Sequence, residues 1–418
     1  MADVRAFRAL HYDLGAVGSL ADVTAPPYDV IDAEQREELL ARSPFNVVEI
    51  DLPQAGGGDP YRHAAETVEE WTLNGILARD REPTIWALTQ DYRAPDGSAH
   101  TRHGILARVR VEDYGPGRVR PHERTQPGPK LDRLNLTRAT RCNLSPIFSL
   151  TGEDAWPLVE PATSEDPWGE VTDSDGTVHR LWPIADPAVH LAVAGCLAGA
   201  ELLIADGHHR YETARAYRDE VGGDGAHCYT LMALTGLDDP GLTVFPTHRL
   251  LSGISADPER RRRLGEGLRD LFEAEEVAEA ELDPAGERGL GVFGCLDTHH
   301  GQAYRLRLRD TAGLERALPG KPAAYRELDA VILETLVLKG LLEMGEDDIA
   351  AKRGIGYAKS VPDSLAMLAD GPFEVAFILR PTPVEQVRAV AAAGETMPPK
   401  STYFFPKLLS GMVFNPLD

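Results

Sequence analysis

The sequence predicts a mixed α+β fold, and three observations carry that expectation. Segments with strand and helix character alternate irregularly, without the regular βαβ order of a parallel sheet. Two hairpins can be read directly, at residues 85–111 and 291–308. The 39 glycines and 31 prolines concentrate in connections, which implies many short elements. At 418 residues the chain has room for two or three domains.

Taken in order, Pro26 and Pro27 impose an extended entry through Tyr28, Asp29, Val30 and Ile31. Asp32 then caps a helix from Ala33 to about Ala41. A second helix, Tyr61 to about Leu73, sets Ala64, Val68 and Trp71 on one face. Ile85 to Tyr92 reads as a strand, residues 94–97 as a turn and Gly104 to Val111 as the return strand. In that strand Ile105, Ala107, Val109 and Val111 share a face opposite Arg108 and Arg110. Residues 113–137 are polar, contain Pro and Gly, and are too long for a plain connection, which marks a functional or disordered loop.

From 151 to 180 the composition turns acidic and rich in Gly, Pro and Ser, the pattern of a surface insertion. Trp156, Trp168 and Trp182 in or beside it read as packing residues. Helix then strand follow over 187–205, and a helix covers 211–221. Tyr229 to Thr235 reads as a strand and Leu242 to Pro246 as extended. A helix and the hairpin Gly291–Leu296 with Ala303–Leu308 fill 255–320. The remainder reads as helices over 328–342 and 361–369, a strand Glu374–Leu379, a helix Pro383–Ala393 and a terminal motif. Four segments result: an N-terminal α/β region (1–150), a variable insertion (151–185), a turn region (186–254) and a C-terminal α/β region (255–418).

Lys plus Arg total 43 and Asp plus Glu 66, a formal charge of −23. That acidity opposes a general affinity for duplex nucleic acid or anionic membranes, whose binding clustered Lys and Arg lead. The first ten residues lack the apolar stretch of a signal peptide, and no run approaches the roughly 18 apolar residues of a membrane span. Cys142, Cys196, Cys228 and Cys295 lie far apart with no Cys-x-x-Cys pair, so neither a zinc ribbon nor a disulfide framework is expected. A cytoplasmic protein is the natural expectation.

Three segments carry chemistry. In the first, the apolar run Leu202-Leu203-Ile204 leads into Ala205-Asp206-Gly207-His208-His209-Arg210-Tyr211-Glu212-Thr213 and opens a helix. A helix start offers unpaired N–H groups and a positive dipole end, Gly207 permits close approach, and Arg210 can fork onto phosphate oxygens. The alternative is that Asp206 merely caps the helix. In the second, Glu123 is a candidate general base flanked by His122 and Arg124, and Thr125, Lys130, Asp132 and Arg133 follow as substrate contacts. A solvated charged loop is its alternative. The third, Met397 to Leu408, combines Lys400, Ser401, Thr402, Tyr403 and Lys407 into a candidate ligand rim. It lacks the Gly-rich approach of a Walker motif, so no P-loop is expected. A terminal strand docking its aromatics is its alternative. His248 and Arg249 could join the anion site, although a satisfied core histidine fits His248 equally. His299 and His300 point different ways, and no i, i+4 partner completes a metal site.

The Asp206–Arg210 turn resembles the phosphate-binding turn of the ParB and sulfiredoxin superfamily, which includes nucleotide-dependent partition proteins, sulfiredoxins and kinases acting on free serine. The Pro26–Asp32 stretch before a helix is similar to the entry to that core. Over nearly its whole length the chain also resembles the domain-of-unknown-function 1015 family. The residues carrying this are Pro26–Ile31, His122–Thr125, Asp132–Leu134, Asn143–Phe148, Ala205–Thr213, Phe245–Arg249 and Met397–Leu408. The resemblance implies a mixed-sheet ParB/sulfiredoxin-like core with insertions and an additional C-terminal α/β region.

The leading functional expectation is a nucleotide-dependent phosphotransferase acting on a small hydroxylated metabolite. Free serine is the most concrete acceptor that the resemblance suggests. ATP, ADP or CTP would enter with Mg²⁺, its phosphates on Gly207, His208, His209 and Arg210 with Tyr211 and Thr213 nearby, and Asp206 would be the metal ligand. Glu123 would be the base, with Asp206 and His208 completing the catalytic set. A nucleotide-hydrolysing switch without a DNA-binding module and a phosphoester hydrolase are the alternatives. The expected partner is one small phosphate-bearing molecule, and a homo-oligomer is left open.

Overall fold

The computed structural model describes residues 2–418 apart from Asp96, Arg124 and Gln126, with Pro127 described in its backbone alone. Two expectations therefore fall partly outside the described residues: the turn at 94–97 through Asp96, and the His122–Thr125 motif through Arg124. The chain forms two compact units. The first comprises the chain up to Pro121, Thr125–Thr243 and Pro406–Asp418; the second comprises His122–Arg124 and Val244–Phe405. Of the four compositional segments, the first three fall mainly in the first unit and the fourth mainly in the second.

The first unit is built on a nine-stranded mixed sheet. Its strands are β1 (Val4–Arg5), β2 (Ile85–Arg93), β3 (Ala99–Arg110), β4 (Val119–Arg120), β5 (Ile147–Thr151), β6 (Gly169–Thr172), β7 (Val178–Ile184), β8 (Leu202–Asp206) and β9 (Tyr229–Gly236). Their order is β4-β8-β5-β9-β3-β2-β7-β6, with β1 added beside β3. The β4/β8 and β5/β9 pairs are parallel and the others antiparallel. The hairpin β2/β3 pairs from Trp86↔Leu106 to Arg93↔Ala99. Ile105, Ala107, Val109 and Val111 do share a buried face, where Ile85, Ala87 and Met232 join them. The other face is not solvated: Trp86, Gln90, Arg102 and Leu106 are buried there too.

The helices of this unit are α1 (Ala33–Arg42), α2 (Pro60–Leu73), α3 (Pro127–Thr140), α4 (Pro187–Leu197) and α5 (His208–Val221). Asp32 closes a capping box with Gln35 at the start of α1, and α2 buries Ala64 and Trp71. Val193 and Leu197 of α4 and Tyr211 and Ala214 of α5 cover the aliphatic face of the sheet.

Two stretches differ from their sequence expectation. The polar segment 113–137 is not loop throughout, because α3 begins at Pro127. Pro127 and Pro129 sit in its first turn, where a missing N–H loses no helical bond, and Leu136 supplies a buried anchor. The acidic stretch read as a surface insertion supplies β6 and the start of β7, because Val171 and Leu181 alternate inward beneath a polar composition.

The second unit holds a six-stranded sheet of β10 (His248–Ser252), β11 (Phe272–Val277), β12 (Val292–Asp297), β13 (Gln302–Leu308), β14 (Ile355–Ala358) and β15 (Phe373–Ile378). Their order is β11-β13-β12-β15-β10-β14, antiparallel at every pairing. Helix α6 (Pro258–Leu271) brings Leu264 to a core with Phe272, Phe293 and Phe377. The single helix expected over 328–342 is a short α-turn, Asp329–Ile332, running into a π-helix, Leu333–Leu341. Helices α7 (Val361–Asp370) and α8 (Val384–Ala392) follow the expected spans. Among the described residues no helix is long and apolar enough to cross a membrane.

A close backbone approach ties the end of the first unit's sheet together. The Tyr92 hydroxyl donates to the Gly241 carbonyl at 3.0 Å, and a Cβ on Gly241 would collide with the Thr101 carbonyl and the Arg102 amide. Gly241→Ala is expected to lower stability by about 1–3 kcal/mol. Calorimetric melting of the full chain checks this, and an unchanged melting temperature would refute the close-packing account.

Candidate functional site

The site in the first unit starts from a break in a strand. β8 pairs with β5 as Ile204↔Ser149 and then Asp206↔Phe148, so the register shifts between Ile204 and Asp206. Such a bulge re-aims the side chain that follows. Gly207 then takes φ +90°, a left-handed conformation that L side chains rarely adopt, and α5 begins at His208. The N-cap residue is Gly207 itself, which has no side chain to cap that helix start. The second use of Gly207 is space: a Cβ there would stand 3.0–3.1 Å from the Arg210 guanidinium.

Asp206 is the electrostatic centre. Its Oδ1 accepts from the Gly207 amide at 2.9 Å, and its Oδ2 pairs with Lys407 Nζ at 3.1 Å. Burial pushes its carboxyl up, but Lys407, Arg210 and His208 outweigh burial and hold it well below the usual carboxylate range. Arg210 donates from Nη1 to the Pro146 carbonyl, while its Nε is buried without a hydrogen-bond partner among the described residues. His208 is buried and His209 half-buried.

Sequence reasoning missed the supports of this junction. Arg102, fully buried, donates from Nε to Gln90 Oε1 at 2.9 Å and from Nη2 to the Pro406 carbonyl at 2.7 Å. Gln90 donates to the Lys407 carbonyl at 3.0 Å. These bonds hold the backbone that carries Lys407. Burial pulls the Arg102 guanidinium down to about 10. The available signal was an arginine on the same strand face as Gly104 and Leu106. Tyr28 was also missed: Arg133 lies 4.3 Å from its ring centroid, and burial pushes its hydroxyl up to about 12 against the opposing charges of Arg210 and Arg133.

Several expected ligand contacts have partners within the protein. Tyr211 is fully buried, and its hydroxyl donates to the Glu112 carbonyl at 2.8 Å and accepts from the Glu112 amide at 2.9 Å. Thr213 donates to the Lys130 carbonyl at 3.4 Å, which joins α5 to α3. Arg133 is spent on Asp51 at 2.8 Å and Asp132 at 2.7 Å, and Asp132 also accepts from Tyr61 at 3.0 Å. A cavity of about 40 Å³ is lined by Asp51, Arg133, Arg210 and Thr213 among others.

The other expected residues collect in the second unit, apart from Thr125, which is half-buried in the first. His122 is buried, its Nε2 2.8 Å from Thr402 Oγ1, and its carbonyl accepts from the Met397 amide at 2.6 Å. Glu123 forms a parallel bridge with Met397. Arg249 is buried, donates to the Thr247 and Pro399 carbonyls, and lies 5.3 Å from the Tyr357 ring centroid. Burial lowers its pKa against the charges of Tyr357, Glu334 and Glu123. Lys400 is exposed at φ +60°, Ser401 donates to the Pro398 carbonyl at 2.7 Å, and Lys359 sits 4.7 Å from the Tyr403 ring centroid. The structure thus brings His122 and Glu123 of the second segment together with Met397 and Thr402 of the third.

Asp206 fits the role of a single carboxylate ligand for Mg²⁺ carried by a phosphate chain, a mode that ion favours. Among the described residues no group of three His, Cys, Asp or Glu could hold a metal by itself.

The bulged strand, the left-handed glycine and the helix start flanked by Lys407 and Arg210 form a strand–helix junction in a mixed α+β protein. Residues 4–331 match the family model described as "Protein of unknown function (DUF1015)", and the chain belongs to that family. Comparison with curated proteins finds no match. Among solved structures, a free serine kinase in complex with AMP is 15% identical with a TM-score of 0.37, over 72% of this chain and 86% of its own. A conserved hypothetical protein from Pyrococcus furiosus is 17% identical with a TM-score of 0.37, over 72% and 92%. SbnI with a C-terminal truncation, from Staphylococcus aureus, is 11% identical with a TM-score of 0.37, over 73% and 85%.

His248 yields a pH prediction. It is buried in β10, its Nδ1 accepts the Leu379 amide at 3.2 Å, and burial pulls its pKa from 6.5 down to about 4. It is a core histidine, the reading that the sequence left open equally with a ligand contact. Between those values the unfolded chain binds the extra proton, so stability is present above about 6.5 and is lost as pH falls toward 4. The loss is up to about 3 kcal/mol. Calorimetry of wild type and His248→Gln between pH 7 and 4.5 should show the gap between them change across that window; a constant gap would contradict the assignment.

Proposed function

We propose that the chain is a nucleotide-dependent phosphotransferase whose nucleotide phosphates sit on the start of α5. The observation that carries this is the ionised Asp206, held by Lys407 beside the left-handed Gly207 at the start of α5. A phosphate chain would accept the N-terminal amides of α5 and draw on the dipole there. Lys407 would supply positive charge by turning from Asp206 to a phosphate oxygen, and Arg210 would fix the turn from beneath through Pro146. Bound Mg²⁺ would supply charge neutralisation across the phosphates, with Asp206 as its protein ligand. Because transfer of this kind needs mainly positioning and charge stabilisation, such a junction suffices for the nucleotide half of the reaction.

The acceptor proposed is a small hydroxylated metabolite, free serine first among them, in keeping with a ParB/sulfiredoxin-like core. Glu123 is the proposed base on its chemistry alone. A cytoplasmic location and a small-molecule partner in place of duplex nucleic acid belong to the same reading.

Thermal-shift measurement of the full chain with ATP, ADP, CTP or GTP and Mg²⁺ should show one nucleotide stabilising it by about 2.7 kcal/mol at a hundredfold excess over Kd. Lys407→Met should weaken that nucleotide at least tenfold. If no nucleotide shifts the melting temperature, the proposal fails.

Phosphorus NMR with serine and other hydroxylated metabolites then separates the reactions. Phosphorylated acceptor supports the phosphotransferase, whereas free phosphate alone supports the nucleotide-hydrolysing switch. Release of phosphate from a phosphoester without nucleotide supports the hydrolase. Glu123→Gln should keep nucleotide affinity and lower turnover at least a hundredfold; undiminished turnover would remove Glu123 as the base.

A further inference from the structure

The second unit contains a cavity of about 610 Å³ between α6 and the sheet face of β12, β13 and β15. That volume lies in the range of small-molecule sites. The helix contributes Arg261, Leu264, Gly265, Leu268 and Arg269, spaced so that they share one face. Leu264, Leu268, Phe272 and Leu306 make the inner part apolar, while Arg261, Arg269 and Arg309 stand toward its polar margin.

The acidic groups at that margin already have partners. Asp297 accepts the His299 amide at 2.9 Å and pairs with His300 at 2.6 Å, and Glu374 accepts the Ser255 amide at 2.9 Å. Arg261 Nη1 lies 3.1 Å from His299 Nε2, a contact in which a neutral imidazole accepts. Arg269 forms no ion pair among the described residues, and Arg309 lies 3.7 Å from Glu273 and donates from Nε to the Arg269 carbonyl at 3.4 Å. In a chain of net charge −23, an apolar cavity with arginines at its margin is a selective environment.

We propose that this cavity binds a small amphipathic monocarboxylate, its apolar body against Leu264, Leu268, Phe272 and Leu306 and its carboxylate at the margin that Arg261 and Arg269 line. Planar guanidinium forks match a carboxylate in two parallel hydrogen bonds. Asp297 and Glu374 nearby disfavour a dianionic head, which selects carboxylate over phosphate monoester. The site uses no residue of the nucleotide junction.

Isothermal titration of the nucleotide-free full chain with decanoate, decanol and decyl phosphate tests it. Decanoate is expected to bind one per chain, with decanol and decyl phosphate each at least tenfold weaker. The double substitution Arg261→Gln with Arg269→Gln should weaken decanoate at least tenfold while leaving decanol unchanged. Leu268→Trp, which fills the apolar part, should weaken both, and an unchanged melting temperature shows that each variant folds. No decanoate binding, equal affinity for decanol, tighter decyl phosphate, or an unaffected double variant would each overturn the proposal. None of these outcomes bears on nucleotide binding, which is measured separately.

Discussion

The Asp206–Lys407 ion pair is the constraint on which the candidate site depends. A carboxylate taken out of water at a strand end is costly unless a cation and hydrogen bonds compensate it. Lys407 and the Gly207 amide provide both. Lys407 arrives from the last stretch of the chain, so the backbone through Pro406 and Lys407 must itself be fixed. Arg102 and Gln90 do that from two adjacent strands. The bulge in β8 and the left-handed Gly207 then set the direction in which the carboxylate and the helix start face.

The arginines of this acidic chain divide by burial into different tasks. Arg133 and Arg102 are buried and spend their guanidinium groups on Asp51, Asp132, Gln90 and a backbone carbonyl. They position segments, and Arg102 Nη1 is left buried with no hydrogen-bond partner among the described residues. Arg249 does the same in the second unit, on the Thr247 and Pro399 carbonyls. Lys407, by contrast, is partly exposed and pairs with the Asp206 carboxylate at 3.1 Å.

Much of the secondary structure was legible from local pattern. The capping box at Asp32, the hairpin β2/β3, the hairpin β12/β13 and the helices near 187 and 361 follow their signals within a few residues. The failures have physical causes. α3 was hidden by prolines that are harmless in a first turn, and β6 and the start of β7 by the acidic, Gly-, Pro- and Ser-rich composition of the stretch around them. The π-helical stretch 333–341 is invisible to periodicity, because its apolar residues satisfy helical spacing in either form. At the site, the Asp206–Arg210 turn was legible because a short apolar strand, a glycine and a helix start sit in consecutive residues. The partners of Tyr211, Thr213 and Arg133 were not legible, because chemical type does not reveal which partner a side chain meets.

By itself the sequence determined the strand–glycine–helix junction, the acidity that disfavours polyanionic partners, and an irregular α+β composition. Those properties are local or additive, so they need no knowledge of distant contacts. Only the tertiary structure decided that Lys407 pairs with Asp206, that Arg102 secures it, and that His122 meets Thr402. Each joins positions hundreds of residues apart, and which buried charges meet is settled by sheet order and register alone.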